Sequence, residues 1–255
     1  MLRVWRARDD LFDRVEPTWW GAEISDPRYP ELQESNYARV EATEPVDLAE
    51  VDAALVRIVD RSACRRPEVV VFFPEEQARL LAEASTRGER LHWDLVLEHR
   101  GGGPAPADDP TEEVEVFDEG FWRDHRESTR GFDIEADEVL DQLEVMEREL
   151  MIPAGRRWFV VRSPDGTAGA FAALLVREGV AFVDHVVTLP RARRRGFATA
   201  LTRRILAEVE AVGVEHTYLN AEPDGVAARM YVGLGFRKVG HLASWTFGLG
   251  DGGRG

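Results

Sequence analysis

The clearest hydrophobic pattern lies in the second half of the chain, where a continuous apolar run gives way to a helical repeat. Residues Val180 to Leu189 are almost all apolar and are closed by Pro190, which is typical of a strand inside a sheet. Apolar residues then recur every three or four positions from Phe197 to Val212, and Gly213 follows where a helix usually ends. The pattern therefore predicts a buried strand followed directly by an amphipathic helix.

Further elements flank this pair. The pattern predicts a short strand over 113–117, an acidic amphipathic helix over 135–150, a hairpin of 157–162 with 168–176, a strand over 217–219, a helix over 225–234 and a last strand over 236–247. The expected fold class is α/β, with a mixed and mostly antiparallel sheet flanked by helices.

The first half repeats part of this order. It predicts strands over 36–42, 68–73 and 90–98 and helices over 47–59 and 74–87. This succession matches that of Val180 to Phe247 element by element, so it predicts an internal duplication; an unrelated α/β lid is the alternative, because the βαβαβ order is common. Three aromatic residues of this half, Trp19, Trp20 and Tyr29, either pack in a core or line an acceptor cleft or a dimer face.

Glycine and proline mark the seam between the halves. Residues 101–110 read GGGPAPADDP, a composition that prevents both helix formation and strand pairing. We expect an N-terminal domain over 1–100, a linker over 101–111, a second domain over 112–248 and a flexible tail over 249–255.

The charge of the chain indicates which classes of binding partner to expect. The formal net charge is −15, which argues against nucleic-acid binding, since that function needs a basic face. Between Thr111 and Leu150 there are 15 acidic residues against four Arg, whereas Arg191 to Arg204 holds six Arg and no acid. The acidic block is either a solvated helix surface or an acidic mouth that attracts a cationic amine.

Composition also sets the expected compartment. No apolar run approaches the ~20 residues of a membrane span, and residues 1–10 are charged where a signal peptide is apolar, so we expect a cytoplasmic protein without membrane partners. The lone Cys64 has no His or second Cys at metal-ligand spacing, so we expect a small buried residue and no metal.

The turn between the apolar strand and its helix carries the candidate chemistry. It reads Arg193, Arg194, Arg195, Gly196, Phe197, Ala198, Thr199. A helix N-terminus presents unpaired N–H groups, Gly196 allows close backbone approach, and the Arg side chains add charge, so the turn suits a diphosphate. A plain turn with a solvated basic face is the alternative. No P-loop string occurs in the sequence.

Two motifs give this region a family resemblance. Arg193-x-x-Gly196-x-Ala198 at a helix start, and Asp224-x-x-Ala227-x-x-Met230-Tyr231-x-x-x-Gly235-Phe236 further on, resemble the two signatures of the GNAT (GCN5-related) N-acetyltransferase superfamily. The resemblance covers about 113–247. It is particularly similar to tandem members that carry a degenerate N-terminal GNAT-like half.

The resemblance implies a site for acetyl-CoA as co-substrate. In the family, the backbone of Val186, Val187 and Thr188 would bind the acetyl group and the pantetheine arm. Residues Arg193 to Thr199 would bind the pyrophosphate, and Tyr231 would protonate the leaving CoA thiolate. The sequence departs from the family at Asp224, where Asn is usual; this puts a pantetheine contact there in doubt and leaves a helix N-cap as its alternative role.

The resemblance also implies that a base removes a proton from the attacking amine. Asp184, His185 and Glu222 are the candidates, with solvent as the alternative, and strand alternation predicts that Asp184 and His185 point to opposite faces. For His185 a purely structural role is a further alternative.

The expected function is transfer of the acetyl group of acetyl-CoA to a primary amine of a small molecule or a peptide, in a chain that forms a homodimer or acts alone. A non-catalytic acyl-CoA sensor is the alternative. In the first half the corresponding turn, residues 41–47, has no Gly and three acids, so we expect one CoA site per chain.

Overall fold

The computed structural model describes residues 1–103, 107–132, 134–164 and 166–247. Part of the predicted linker and the predicted tail over 249–255 lie outside the described residues. The chain divides into two compact units. The C-terminal unit consists of Met1–Ala7 and Leu97–Lys238, and the N-terminal unit consists of Arg8–Val96 with the described residues 239–247. This grouping differs from the predicted seam in assigning the last strand to the N-terminal unit.

Seven helices and eleven strands occur in the described residues. In chain order they are α1 (Leu2–Asp9), β1 (Arg14–Thr18), β2 (Gly21–Ser25), β3 (Tyr37–Val40), α2 (Leu48–Ser62), β4 (Glu68–Val71), α3 (Ala78–Arg87), β5 (His92–Arg100), β6 (Thr111–Glu113), α4 (Glu119–Arg130), α5 (Asp137–Met146), β7 (Arg157–Arg162), β8 (Ala168–Arg177), β9 (Val180–Thr188), α6 (Phe197–Ala211), β10 (His216–Ala221), α7 (Val226–Gly233) and β11 (Arg237–Thr246).

The two units repeat one pattern of strand pairing. In the N-terminal unit, β1, β2 and β3 are antiparallel neighbours and β4 follows parallel to β3. In the C-terminal unit, β7, β8 and β9 are antiparallel neighbours and β10 follows parallel to β9. A helix connects the parallel pair in each case, α2 in one and α6 in the other. The repeated order agrees with the predicted duplication and extends it to the hairpin β1–β2, which the sequence pattern did not predict.

Apolar faces of the helices cover these sheets. Residues Val51, Ala54, Leu55 and Ile58 of α2 are fully buried in one cluster with β3 and β4, as the three-to-four spacing requires. Trp20 belongs to the same cluster, and Tyr29 is also buried. Core packing is therefore the role of these two aromatics, whereas Trp19 is 59% exposed and donates from Nε1 to Glu50.

Two sequence-based expectations for the region after the linker are wrong. The strand predicted over 113–117 lies earlier, at Thr111–Glu113, where it pairs with β7. Helix α4 was not predicted at all. Helix α5 begins at Asp137 and is continued by a π-helical turn, Glu147–Met151, so it covers the predicted acidic helix.

Cys64 is buried, as expected, and burial raises the pKa of its thiol. None of the described helices has both the length and the apolar character needed to cross a membrane. Within the described ranges no group of three or more His, Cys, Asp and Glu residues is arranged as a metal site.

Candidate active site

The parallel strands β9 and β10 diverge after their first residues. They pair only from Val180 with His216 to Phe182 with Tyr218, although β9 continues to Thr188 and β10 to Ala221. The later residues of β9 thus have no ladder partner on the β10 side. Divergence of parallel strands exposes backbone N–H and C=O groups of β9 to a ligand.

A bulge in β9 marks this divergence. The pairing of β8 with β9 shifts register between Phe171 and Ala173, and His185 has a left-handed backbone with φ 51°. This conformation costs free energy for a residue with a Cβ and is held by its surroundings. The bulge also interrupts the alternation from which Asp184 and His185 were expected to face opposite ways.

Asp184 is held by a chain of charged groups. One oxygen of its carboxylate accepts a hydrogen bond from the backbone N–H of His185 at 2.8 Å, and the other pairs with the Arg156 guanidinium. Arg156 also donates to Glu147 at 2.9 Å, and Glu147 accepts a 2.6 Å bond from the Trp158 indole. Burial raises the pKa of Glu147, although Arg156 and Trp158 oppose this shift. Arg156 and Glu147 were not predicted as site residues, because ion pairing between separated residues leaves no local pattern.

The His185 side chain lies among aromatic rings. It stacks on His125 at 5.2 Å between ring centroids and meets Trp158 and Phe132 edge-on at 4.9 Å and 5.0 Å. Its Nε2 lies 2.8 Å from the Ser128 hydroxyl. Burial, with the nearby Arg156 charge, lowers the pKa of His185 to about 3, so the imidazole is neutral at cellular pH.

Tyr231 lies on α7 and is 4% exposed. Its ring packs edge-on against Phe236 at 5.7 Å. Burial, and then the negative charge of Asp184, raise the pKa of Tyr231 above its usual range. The phenol therefore carries its proton at neutral pH and lies within the electrostatic reach of Asp184.

The predicted phosphate turn begins α6 with an open backbone. Gly196, the N-cap of α6, has φ 80°, and a Cβ placed on it would meet nothing within 4 Å. No side chain caps the helix, so its first N–H groups stay available for an anion. Arg194 is also left-handed, with φ 65°, and Arg193, Arg194 and Arg195 are exposed. The Arg193 guanidinium donates to the Thr188 carbonyl at 3.3 Å, which ties the turn to the end of β9.

Gly169 of β8 packs against residues of this turn. A Cβ on Gly169 would lie 2.8 Å from the Phe197 ring and 3.1 Å from Ala192. Its carbonyl accepts a hydrogen bond from the Leu189 N–H at 2.9 Å. The Phe197 ring therefore occupies space that any larger residue at 169 would fill, a dependence that the sequence alone did not reveal.

The other predicted cofactor residues occupy different environments. Val187 is buried in a cluster with Phe121, Trp122 and Trp158. Val186 and Thr188 of the strand, and Ala198 and Thr199 of the first turn of α6, are half-buried. Val186 to Thr188 follow the bulge directly, in the part of β9 that β10 does not pair with.

Glu222 and Asp224 lie in an exposed turn between β10 and α7. No ion pair involves Glu222 in the part of the chain that the structure describes, and its carbonyl accepts from the Gly225 N–H. Asp224 has φ 61° and its carbonyl accepts from Arg229. The N-cap of α7 is Gly225, so the helix-cap role considered for Asp224 is wrong. Among the described residues, neither Glu222 nor Asp224 forms a hydrogen bond or an ion pair with Asp184, His185 or Tyr231.

Arginines pair with most of the acidic block around α4 and α5. Arg126 binds Asp137 and Asp141, Arg130 also binds Asp137, and Arg191 binds Glu127. Other pairs of the block are Glu112–Arg162, Glu113–Arg157, Asp124–Arg123, Glu144–Arg148 and Glu147–Arg156. Four of these arginines, Arg156, Arg157, Arg162 and Arg191, come from outside the block and offset part of the negative charge on which the acidic-mouth interpretation depended.

In the N-terminal unit, a glutamine side chain fills the turn that corresponds to the phosphate turn. Gln77 is 1% exposed and donates to the carbonyls of Ala42 and Glu44 at 2.9 Å and 2.7 Å. Its amide oxygen accepts from the Val46 N–H at 3.0 Å. Gln77 thus satisfies one N–H and two carbonyls of this turn, although α2, like α6, begins without a side-chain cap.

Comparisons with known proteins agree with this arrangement. Residues 162–245 match the family model of FR47-like proteins. No curated protein matches the sequence.

Solved structures extend the likeness to most of the chain. A conserved protein of unknown function from Staphylococcus epidermidis aligns with a TM-score of 0.68 at 11% identity over 88% of this chain and 89% of its own. A GCN5-related N-acetyltransferase from Kribbella flavida has a TM-score of 0.55 at 20% identity over 86% and 84%. One from Sphaerobacter thermophilus has 0.57 at 16% identity over 78% and 66%. At these identities the likeness establishes the fold, and together with the family-model match it confirms the predicted resemblance and fold class.

Proposed function

The chain has the fold of the GCN5-related N-acetyltransferases, and we propose on that premise that it transfers the acetyl group of acetyl-CoA to a primary amine by direct attack. The observation that carries the proposal is the uncapped start of α6 at Gly196, in the connection that follows the part of β9 without a β10 partner. The fold supports acyl transfer, and we propose acetyl-CoA as the donor and a primary amine as the acceptor.

Binding of the donor is assigned to the turn and the strand before it. The N–H groups at Gly196 and in the first turn of α6 would hold the pyrophosphate, with Arg194 and Arg195 adding charge-assisted hydrogen bonds. The exposed backbone of Val186 to Thr188 would pair with the pantetheine arm as an added strand does. Since the equivalent turn of the N-terminal unit has no Gly and three acids and is bound by the Gln77 side chain, one CoA site per chain is proposed.

Tyr231 is proposed to protonate the thiolate that leaves. A general acid must hold its proton until the transition state, and the buried phenol does so at neutral pH because its pKa is raised. Asp184 opposes ionisation of the phenol further through its charge.

Proton removal from the amine is assigned to Glu222 or to water. Asp184 is engaged on both oxygens, by Arg156 and by the backbone of His185, which leaves it poorly placed to accept another proton. An imidazole with a pKa of about 3 is too weak a base for His185 to carry the proton. Glu222 is exposed and has no ion-pair partner among the described residues.

The proposal is tested by calorimetry with acetyl-CoA and by an acetyl-transfer screen over classes of amine. Micromolar binding of acetyl-CoA and turnover with at least one amine are expected. Binding without turnover for every amine class would favour the acyl-CoA sensor instead, and absence of binding would refute both.

A further inference from the structure

The hydroxyl of Ser128 has two neighbours, and their chemistry fixes where its proton lies. Ser128 is fully buried on α4, and its Oγ lies 2.7 Å from the backbone carbonyl of His125 and 2.8 Å from Nε2 of His185. The carbonyl oxygen can only accept, so the hydroxyl must donate its single proton to it. A lone pair of Oγ then faces His185.

The orientation of the hydroxyl determines the state of the imidazole. Because the proton of the Ser128 hydroxyl is directed at the His125 carbonyl, its oxygen can only accept a hydrogen bond from His185. Nε2 of His185 must therefore be the ring nitrogen that carries hydrogen. We propose that Ser128 is a positioning residue that fixes His185 as the neutral Nε2–H tautomer, leaving Nδ1 as a hydrogen-bond acceptor for the N–H of the incoming amine. His185 then orients the amine and takes no proton from it.

The groups around His185 maintain this neutral state. His125 stacks on it from α4, Arg156 contributes positive charge from the segment before β7, and Asp184 precedes it on β9 with its carboxylate bound to Arg156. Burial also lowers the pKa of His125 below its usual value, so the stacked rings are both uncharged at neutral pH. A second proton on His185 would bind Nδ1 and make the ring a cation. A cation there is unfavourable because the Arg156 guanidinium is close.

The role of Nδ1 rests on the proposed function, but the tautomer does not. The tautomer follows from Ser128, His125 and His185 alone, whatever reaction the protein performs. The test therefore separates a spectroscopic readout on the protein from a kinetic readout on acetyl transfer.

The spectroscopic arm uses long-range proton–nitrogen correlation spectra of the nitrogen-labelled full chain, with His185→Gln to assign the ring. The wild-type imidazole is expected to show the Nε2–H pattern from pH 8 down to pH 5. An Nδ1–H pattern or a protonated ring at pH 7 overturns the proposal, and this arm needs no variant that might fold badly.

The kinetic arm compares Ser128→Ala with Thr129→Val. Thr129 is the next residue, is also buried and donates to the same His125 carbonyl at 3.0 Å, but it forms no hydrogen bond with His185. Ser128→Ala is expected to mix the two tautomers and to lower kcat/KM for the amine about tenfold, while KM for acetyl-CoA stays within about twofold. Thr129→Val is expected to leave the tautomer and kcat/KM for the amine unchanged.

The outcomes are distinct. Loss of the single tautomer in Ser128→Ala, together with a lower kcat/KM for the amine, supports the proposal. An unchanged spectrum in a folded Ser128→Ala chain overturns it. Equal kinetic losses in both variants assign Ser128 a structural role only and overturn the positioning role. Absence of turnover in the wild type refutes the proposed function and leaves the spectroscopic result to decide the tautomer.

Discussion

The carboxylate of Asp184 accepts a 2.8 Å hydrogen bond from the backbone N–H of His185, the residue whose left-handed backbone forms the bulge of β9. A side chain thus binds the strained peptide next to it. Arg156 fixes the same carboxylate, and Glu147 fixes Arg156. The buried Glu147 thus holds the bulge through Arg156 and Asp184, a series of contacts that we call the relay. Residues Val186 to Thr188 follow this bulge and have no β10 partner.

The two carboxylates of this relay should differ in their effect on stability. Glu147→Gln is expected to lower the free energy of unfolding by about 3 kcal/mol, because it leaves a buried Arg156 with one partner fewer. Asp184→Asn is expected to lower it by about 1 kcal/mol, since its side chain is 43% exposed and the amide oxygen can still accept from His185. Urea unfolding measures both, and a larger loss for Asp184→Asn would contradict the relay.

Tyr231→Phe should separate catalysis from binding. We expect kcat to fall by about 10² to 10⁴, the usual contribution of a general acid, with little change in the affinity for acetyl-CoA. Tyr218→Phe is the matched control: it removes a phenol that donates to Glu98 elsewhere in the same unit, and kcat should stay near the wild-type value. Steady-state kinetics and calorimetry provide the two readouts. Undiminished turnover in Tyr231→Phe would remove the phenol from the mechanism.

Gly196→Val tests the phosphate turn. A β-branched residue at φ 80° is strained by about 1–2 kcal/mol, and its side chain projects into the open space proposed for the pyrophosphate. We expect acetyl-CoA affinity to fall at least tenfold, about 1.4 kcal/mol.

The control for this variant lies at the other end of the same helix. Gly213 has φ 69° and equally open surroundings, so Gly213→Val carries a similar strain without facing the turn. Calorimetry should find wild-type affinity in Gly213→Val, and equal losses in the two variants would assign the effect to strain alone.

The pH dependence of stability should reveal the buried imidazole. The pKa of His185 is about 3 in the folded state and about 6.5 in the unfolded chain, so between these values the unfolded chain binds more protons. Stability contributed by His185 is therefore complete above pH 6.5 and is lost as the pH falls towards 3. From pH 7 to pH 5 this loss amounts to about 2 kcal/mol. Urea unfolding at both pH values should show a smaller difference in His185→Gln, and an equal difference would place the imidazole in water.

Much of the C-terminal unit was predictable from sequence because its buried elements are apolar. The strand pair β7 and β8, the strand β9 and the helix α6 all have near-continuous or periodic hydrophobicity, and their predicted bounds agree with the structure to within a few residues. The turn at Gly196 was predictable for a related reason, since glycine adopts a positive φ that few other residues tolerate.

Helix α4 shows what the pattern misses. Its buried face includes Asp124, His125, Ser128 and Thr129; the side chains of Asp124, Ser128 and Thr129 form hydrogen bonds, and the His125 ring stacks on His185. A hydrophobicity pattern treats such positions as exposed, so neither the helix nor the contact of Ser128 with His185 was predictable. The bulge at His185 was equally hidden, because it depends on pairing with β8 rather than on the local sequence.

Strand β11 has a consequence for how the protein is made. It is the last strand in the sequence, yet it pairs antiparallel with β4 and its Trp245 is buried in the cluster below α2. A growing polypeptide therefore cannot finish the first unit it synthesises until residues near 246 have left the ribosome. Until then the edge of β4 has no β11 partner, so the N-terminal unit cannot complete its sheet before residues 97–238 have been synthesised.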